Sequence, residues 1–318
     1  MLGKLDIARR WRVVTTGLCF LTFISGSLVL TLTALPLILF LSSTPGQKER
    51  RALKLIHYAF KFFMYYMQVL NPITSFNVHG LEQLPPVKGS LFIANHPTLI
   101  DVVAIISCLP ACQCIVKKSL LQNFCFGGLL RTAGYIANDY AMQLMDDCSR
   151  RLQTGHSLLI FPEGMRSPVD GLHPFTRGAA QIAIRTGAPV VPVVITCEPP
   201  TLFKGEPWYT VPARPIDLTL RFLPPLEIPP AVTDKKGIPL QARALTQYIE
   251  NFFRQELRVT RTIDLSLSEV GRQDPARPEI HMGFPLLVFY QFKQLMGAAT
   301  QWFLLLLGFS DTFWGRGH

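Results

Sequence analysis

From Val13 to Leu41 the chain carries no charged residue. As a single helix rising ~1.5 Å per residue, that stretch would be roughly 43 Å long, against a hydrocarbon core of ~30 Å. It is longer than the ~7–15-residue apolar region of a cleaved signal peptide, and no small-residue cleavage site follows it. Residues 1–46 therefore read as a membrane anchor that tilts, bends at Pro36, or splits into a re-entrant pair. Lys4, Arg9, Arg10 and Arg12 precede it, and Lys48, Arg50, Arg51 and Lys54 follow. Equal basic flanks give no positive-inside direction, and they suit a hairpin with both ends in the cytoplasm.

The 318 residues suffice for one large α/β domain or two small ones, and they carry a formal net charge of +10. Nucleic acid is a poor partner for that charge, because the chain has no zinc-finger spacing, RNP-like aromatic strand or long basic run. In an anchored chain the surplus suits membrane lipids, phosphorylated donors or an acidic carrier protein. Seven cysteines, an odd number lying largely in apolar stretches, fit reduced thiols in a domain on the cytoplasmic side. Cys108, Cys112 and Cys114 cluster without paired C-x-x-C units or nearby histidine, so no metal site is expected.

After the anchor, residues 47–74 hold a helix with a basic start and an aromatic end, fit to lie on a bilayer or to pack on the domain. From residue 75, short apolar runs ("SFNVH", "SLFIAN", "QCIVK", "GYIA", "SLLIF", "VVPVVI", "IDLTLRF") alternate with helical stretches at 98–108, 119–133, 141–153 and 176–186. That alternation predicts an α/β domain over 75–259: a mostly parallel sheet flanked by helices and preceded by N-terminal membrane helices. An amphipathic helix over 239–259 closes it. Residues 260–280 read as a linker, and 281–318 as an apolar, membrane-associating helix.

In a parallel sheet, functional side chains gather on loops at the carboxyl ends of strands. His96 follows "SLFIAN" and Glu163 follows "SLLIF". Pro97 suits a first helical position, with Asp101 in the second turn. His96 just ahead of the helix can then swing its ring back to that carboxylate, leaving the other ring nitrogen as a base. In "FPEGMRS", Gly164 lets backbone approach a ligand, and Arg166 beside glycine and serine forms an anion-binding set near Glu163.

"NHPTLID" followed some 60 residues later by "FPEGMRS" resembles the signature of the glycerolipid acyltransferase family. Its H-x-x-x-x-D motif matches His96 and Asp101, its F-P-E-G-x-R-S motif matches residues 161–167, and "APVVPVVI" is similar to its fourth block. The resemblance implies an α/β acyltransferase domain in which His96 is the base and Asp101 its orienting acid. It implies acyl-CoA or acyl carrier protein as donor substrate, no cofactor, and a lyso-glycerolipid hydroxyl of the 1-acyl-glycerol-3-phosphate type as acceptor. Asn95 is a candidate to help the oxyanion; Lys117, Glu163, Gly164 and Arg166 are expected to bind substrate. In "GYIANDY", Gly134 is kept, but Tyr140 stands where the family has a phosphate-binding arginine, with Asp139 beside it. That departure opens an alternative: a non-phosphatidate acceptor such as an amino-acid lyso-lipid. A catalytically silent lipid-binding protein is a further reading; a lipase-like hydrolase lacks its G-x-S-x-G elbow.

Overall fold

The computed structural model describes residues 2–84, 88–139 and 141–271. The segment 281–318 and Tyr140 therefore lie outside the described residues. Seven strands form one sheet in the order β1-β7-β6-β2-β5-β3-β4. They are β1 (Ile73–His79), β2 (Leu91–Ala94), β3 (Cys112–Lys117), β4 (Ile136–Asn138), β5 (Ser157–Ile160), β6 (Val190–Glu198) and β7 (Ile216–Phe222). Each predicted strand is present. Pairing is parallel except between β6 and β7, so β7 and β1 run against the other five.

The central strand β2 is buried on both sides, which is why it reads as an unbroken apolar run. Phe92 and Ala94 enter one core with α3 (Pro45–Val69) and α4 (Asp101–Cys108). Leu91 and Ile93 enter the other with α7 (Ala141–Gln153), α8 (Gly178–Thr186) and α10 (Ile238–Gly271). The predicted helix over 119–133 is two short ones, α5 (Lys118–Leu121) and α6 (Gly127–Thr132). A turn around Asn123 separates them, its side chain accepting the N–H of Cys125. Before α10 comes the single turn α9 (Pro230–Thr233). The closing helix runs on through residues 260–271, read from sequence as linker, because no glycine or proline interrupts it before Gly271.

The apolar N-terminal stretch forms α1 (Leu2–Leu32) and α2 (Ala34–Leu41), and Ile7–Leu41 is long and apolar enough to cross a membrane by length and composition. The break falls at Thr33 rather than at Pro36. A proline ring clashes with the carbonyl four residues back, so the chain turns upstream and leaves Pro36 in the first turn of α2. The α3 helix then folds back along α1, where Phe23 meets Phe60 and Phe63 and the Thr22 hydroxyl donates to Tyr66 Oη at 3.0 Å. On its other side α3 is latched to α4 by His57, whose Nδ1 lies 2.8 Å from the Ile106 carbonyl. Burial pushes that imidazole's pKa down, which favours the neutral form with Nδ1–H donating.

Below the sheet, Glu49 of α3 gathers the Gln113 amide at 2.9 Å, Arg151 at 2.7 Å and His156 at 2.7 Å. Gly134 sits against this network at φ 76, and a Cβ there would come within 2.4 Å of Gln113 Nε2. Glycine is thus favoured there by the turn, and a side chain would have to displace the Gln113 amide from Glu49.

Candidate active site

β2 and β5 pair in parallel, with Ile93 opposite Ile160. His96 and Glu163 each stand three residues beyond this pair, so the two loops meet at the carboxyl edge of the sheet. Glu163, only 4% exposed, accepts on Oε1 from the His96 backbone N–H at 3.0 Å and the Ser167 hydroxyl at 2.6 Å. On Oε2 it accepts the His173 N–H at 2.8 Å. The Ser167 N–H in turn donates to the His96 carbonyl at 2.7 Å. Two motifs distant in sequence are one clamped structure.

His96 Nδ1 lies 2.7 Å from Asp101 Oδ2, and the same oxygen accepts the Thr98 N–H at 2.9 Å. The helix starts at Asp101 and not at Pro97: residues 97–100 form a turn closed by the Asp101 carboxylate, which places it in the first turn, not the second. The ring still reaches it because His96 precedes the helix. Thr98-x-x-Asp101 has the spacing of a capping box, of which the structure forms the half in which the carboxylate accepts the Thr98 N–H.

Asp101 is fully buried. Burial pushes its carboxyl pKa up on balance, and the hydrogen bond and charge of His96 with the Thr98 N–H offset part of that rise by favouring the carboxylate. A proton gained by His96 would therefore face a carboxylate 2.7 Å away in a low-dielectric site. The imidazole packs on Phe161, with ring centroids 4.4 Å apart and planes at 30°. Nδ1 being engaged, Nε2 is the nitrogen left to act as a base.

His96 lines a cavity of about 1070 Å³. α1 and α3 share an apolar part of its wall through Cys19, Phe23, Phe60 and Phe63. Lys117, Gly164 and Arg166 also line it. Gly164 holds φ 69 with open space where a Cβ would be, so glycine is favoured there by backbone conformation. Arg166 also donates to the Leu202 carbonyl at 2.5 Å.

Two of the residues expected to meet substrate are engaged within the protein. Asn95, 2% exposed, spends both ends of its amide on the backbone of Ile195, at 2.8 Å each, and so fixes β2 to β6 rather than offering a free oxyanion donor. Glu163 directs both carboxylate oxygens to protein donors, among them the His96 and His173 N–H groups, and so holds the His96 loop in place. The Asp139 carboxylate beside Tyr140 in the sequence is paired with Lys118 at 2.6 Å, which offsets its charge. Cys112 and Cys114 are buried core residues of β3, and burial raises the Cys114 thiol to about 12.

A family model described as Acyltransferase matches residues 75–196. Over those residues the chain is similar to the acyltransferase family. The matched region takes in His96, Asp101 and the whole Glu163 clamp. Among curated relatives, the mouse 1-acyl-sn-glycerol-3-phosphate acyltransferase alpha is 28% identical over 56% of this chain and 63% of its own. The coconut (Cocos nucifera) 1-acyl-sn-glycerol-3-phosphate acyltransferase is 28% identical over 68% of this chain and 67% of its own. The chain thus spans about two thirds of these relatives' length. Among solved structures, the 1-acyl-sn-glycerophosphate acyltransferase PlsC of Thermotoga maritima superposes with a TM-score of 0.59 at 21% identity. That match covers 80% of this chain and 98% of the other, and establishes a shared fold.

Proposed function

We propose that the chain is a membrane-associated acyltransferase that moves a fatty acyl group from acyl-CoA or acyl carrier protein to the hydroxyl of a lyso-glycerolipid of the 1-acyl-glycerol-3-phosphate type. The observation that carries this reading is the His96–Asp101 pair, with His96 lining a cavity whose walls are largely apolar and also include Lys117 and Arg166. His96 Nε2 takes the acceptor's hydroxyl proton as that oxygen attacks the thioester carbonyl; the C–S bond breaks, and the imidazolium returns the proton to the departing thiolate. Asp101 holds the tautomer and stabilises the imidazolium. The apolar walls suit the acyl chain; Lys117 and Arg166 suit the acceptor's phosphate.

The test is acyl transfer by full-length protein in detergent, with palmitoyl-CoA or palmitoyl carrier protein as donor and a panel of lyso-lipid acceptors. Lysophosphatidate is expected to be the preferred acceptor. Transfer to an amino-acid lyso-lipid instead would replace the acceptor, and transfer to none of them would overturn the reading.

The membrane element follows from how α1 is packed. Arg12 bonds the Pro212 and Ala213 carbonyls, Phe20 meets Trp208, and Thr31 donates to the Cys125 carbonyl at 2.6 Å. The helix is thus held against the domain along most of its length, an arrangement suited to lying in one leaflet rather than crossing the bilayer. Val14, Leu18, Leu21, Val29 and Leu32 recur at helical spacing on its outer face, all exposed, and Phe40 of α2 is 86% exposed. Free thiols throughout fit a domain on the cytoplasmic side. Replacing Leu18, Leu21 and Leu32 by lysine is expected to move most of the protein from the membrane to the soluble fraction after a carbonate wash, with folding retained because all three side chains are exposed. Unchanged sedimentation would show that α1 is not the attachment.

A further inference from the structure

β6 and β7 are antiparallel neighbours that a turn of ~2–5 residues would join, yet the chain makes an excursion over residues 199–215. The excursion is fixed at both ends. Arg166 holds the Leu202 carbonyl, and Arg12 holds those of Pro212 and Ala213. Leu202 itself sits at φ 57, a left-handed conformation that disfavours a residue with a side chain and is maintained here by that guanidinium. The turn sends Lys204 back to the cavity that His96 lines, with Nζ 3.6 Å from the Met165 sulfur, one residue from Arg166.

The thioether is the only partner of that ammonium among the described residues. The excursion's own carboxylate, Glu206, turns away to accept the Phe203 N–H at 3.2 Å. Among the described residues the charged side chains lining the cavity are Arg12, Lys117, Asp139, Arg166 and Lys204, together with His96 when protonated. The one carboxylate of that set, Asp139, is already paired with Lys118. Lys117, Arg166 and Lys204 thus face the cavity without a carboxylate partner in the described protein. That surplus fits a phosphate monoester, whose two charges need more than one cation.

We propose that Lys204 is a specificity-determining residue that binds the phosphate monoester of the lipid acceptor beside Arg166, supplying from the β6–β7 excursion the cation missing from "GYIANDY". The assignment rests on the acyltransferase reading. Phosphate could reach this site on the acceptor or on CoA, and the experiment separates the two. In full-length protein, Lys204→Gln is expected to raise KM for lysophosphatidate about 10- to 100-fold, the effect of losing one charge-assisted hydrogen bond. The kcat at saturating acceptor, the KM for palmitoyl-CoA, and transfer to phosphate-free monoacylglycerol should stay as in wild type. Lys204→Arg should restore KM to within a few-fold, which a merely structural role in the loop would not require. An unchanged KM for lysophosphatidate, or a rise confined to palmitoyl-CoA, overturns the assignment. Equilibrium binding of lysophosphatidate against monoacylglycerol, followed by tryptophan fluorescence, gives a readout independent of turnover. Lysophosphatidate binding that depends on Lys204 in a chain transferring no acyl group would sink the transferase reading and leave the site standing; binding indifferent to Lys204 would sink the site.

Discussion

His96→Ala is expected to lower kcat for acyl transfer by roughly 10²–10⁴-fold, the usual contribution of a positioned general base. The ring is the group whose free nitrogen meets the cavity, and Asp101 holds it in place from a fully buried position. Removing it leaves Asp101 Oδ2 with the Thr98 N–H and exposes the carboxyl to the upward push of burial without its main counterweight. The carboxyl then takes up a proton more readily, which limits the cost to the fold. Single-turnover assays in detergent, with a melting curve on the same sample, separate the two effects. A variant that keeps more than about a tenth of wild-type turnover would remove His96 from the role of base.

Glu163→Gln is expected to damage stability and turnover together. The carboxylate accepts three donors, on His96, Ser167 and His173, and a glutamine can accept at only one of its two ends. Whichever end carries the amide, a buried donor is left facing another donor, at a cost of ~1.5–3 kcal/mol for a hydrogen bond to a charged group. For a domain of this size that corresponds to a loss of roughly 5–10 °C in Tm. Release of the His96 backbone should also lower kcat at saturating substrate, because the ring depends on that loop for its aim. The alternative role, in which Glu163 binds substrate, predicts a raised KM at unchanged Tm. Melting curves and initial rates decide between them.

Strand and helix alternation was legible because the buried strands are apolar runs and the breakers between them are glycine and proline. His96 and Asp101 were legible because both sit beside strand "SLFIAN" at a spacing that a turn brings together. What sequence could not supply was direction. Asn95 and Glu163 are polar residues in conspicuous motifs, yet both turn inward, and only the pairing of β2 with β5 and β6 reveals the backbone groups they satisfy. The antiparallel β6–β7 step was equally hidden, since a strand's apolar pattern does not record which way its neighbour runs. Lys204 escaped notice for the same reason: it lies in a polar excursion outside every recognised motif, brought to the cavity by contacts with Arg166 and Arg12 that are remote in sequence.

The two faces of α1 have a consequence for kinetics. One face forms the cavity wall at Cys19 and Phe23, and the opposite face is the apolar stripe proposed to enter the leaflet. A lipid tail moving from the bilayer to His96 then passes from one apolar surface to another around a single helix, without an intervening aqueous step. Encounter becomes a two-dimensional search, and the variable that sets the rate is the mole fraction of acceptor in the interface, not its amount per volume of solution. Diluting the acceptor with inert lipid would slow the enzyme at constant bulk concentration, while diluting the whole vesicle suspension would leave each bound molecule working at its former rate.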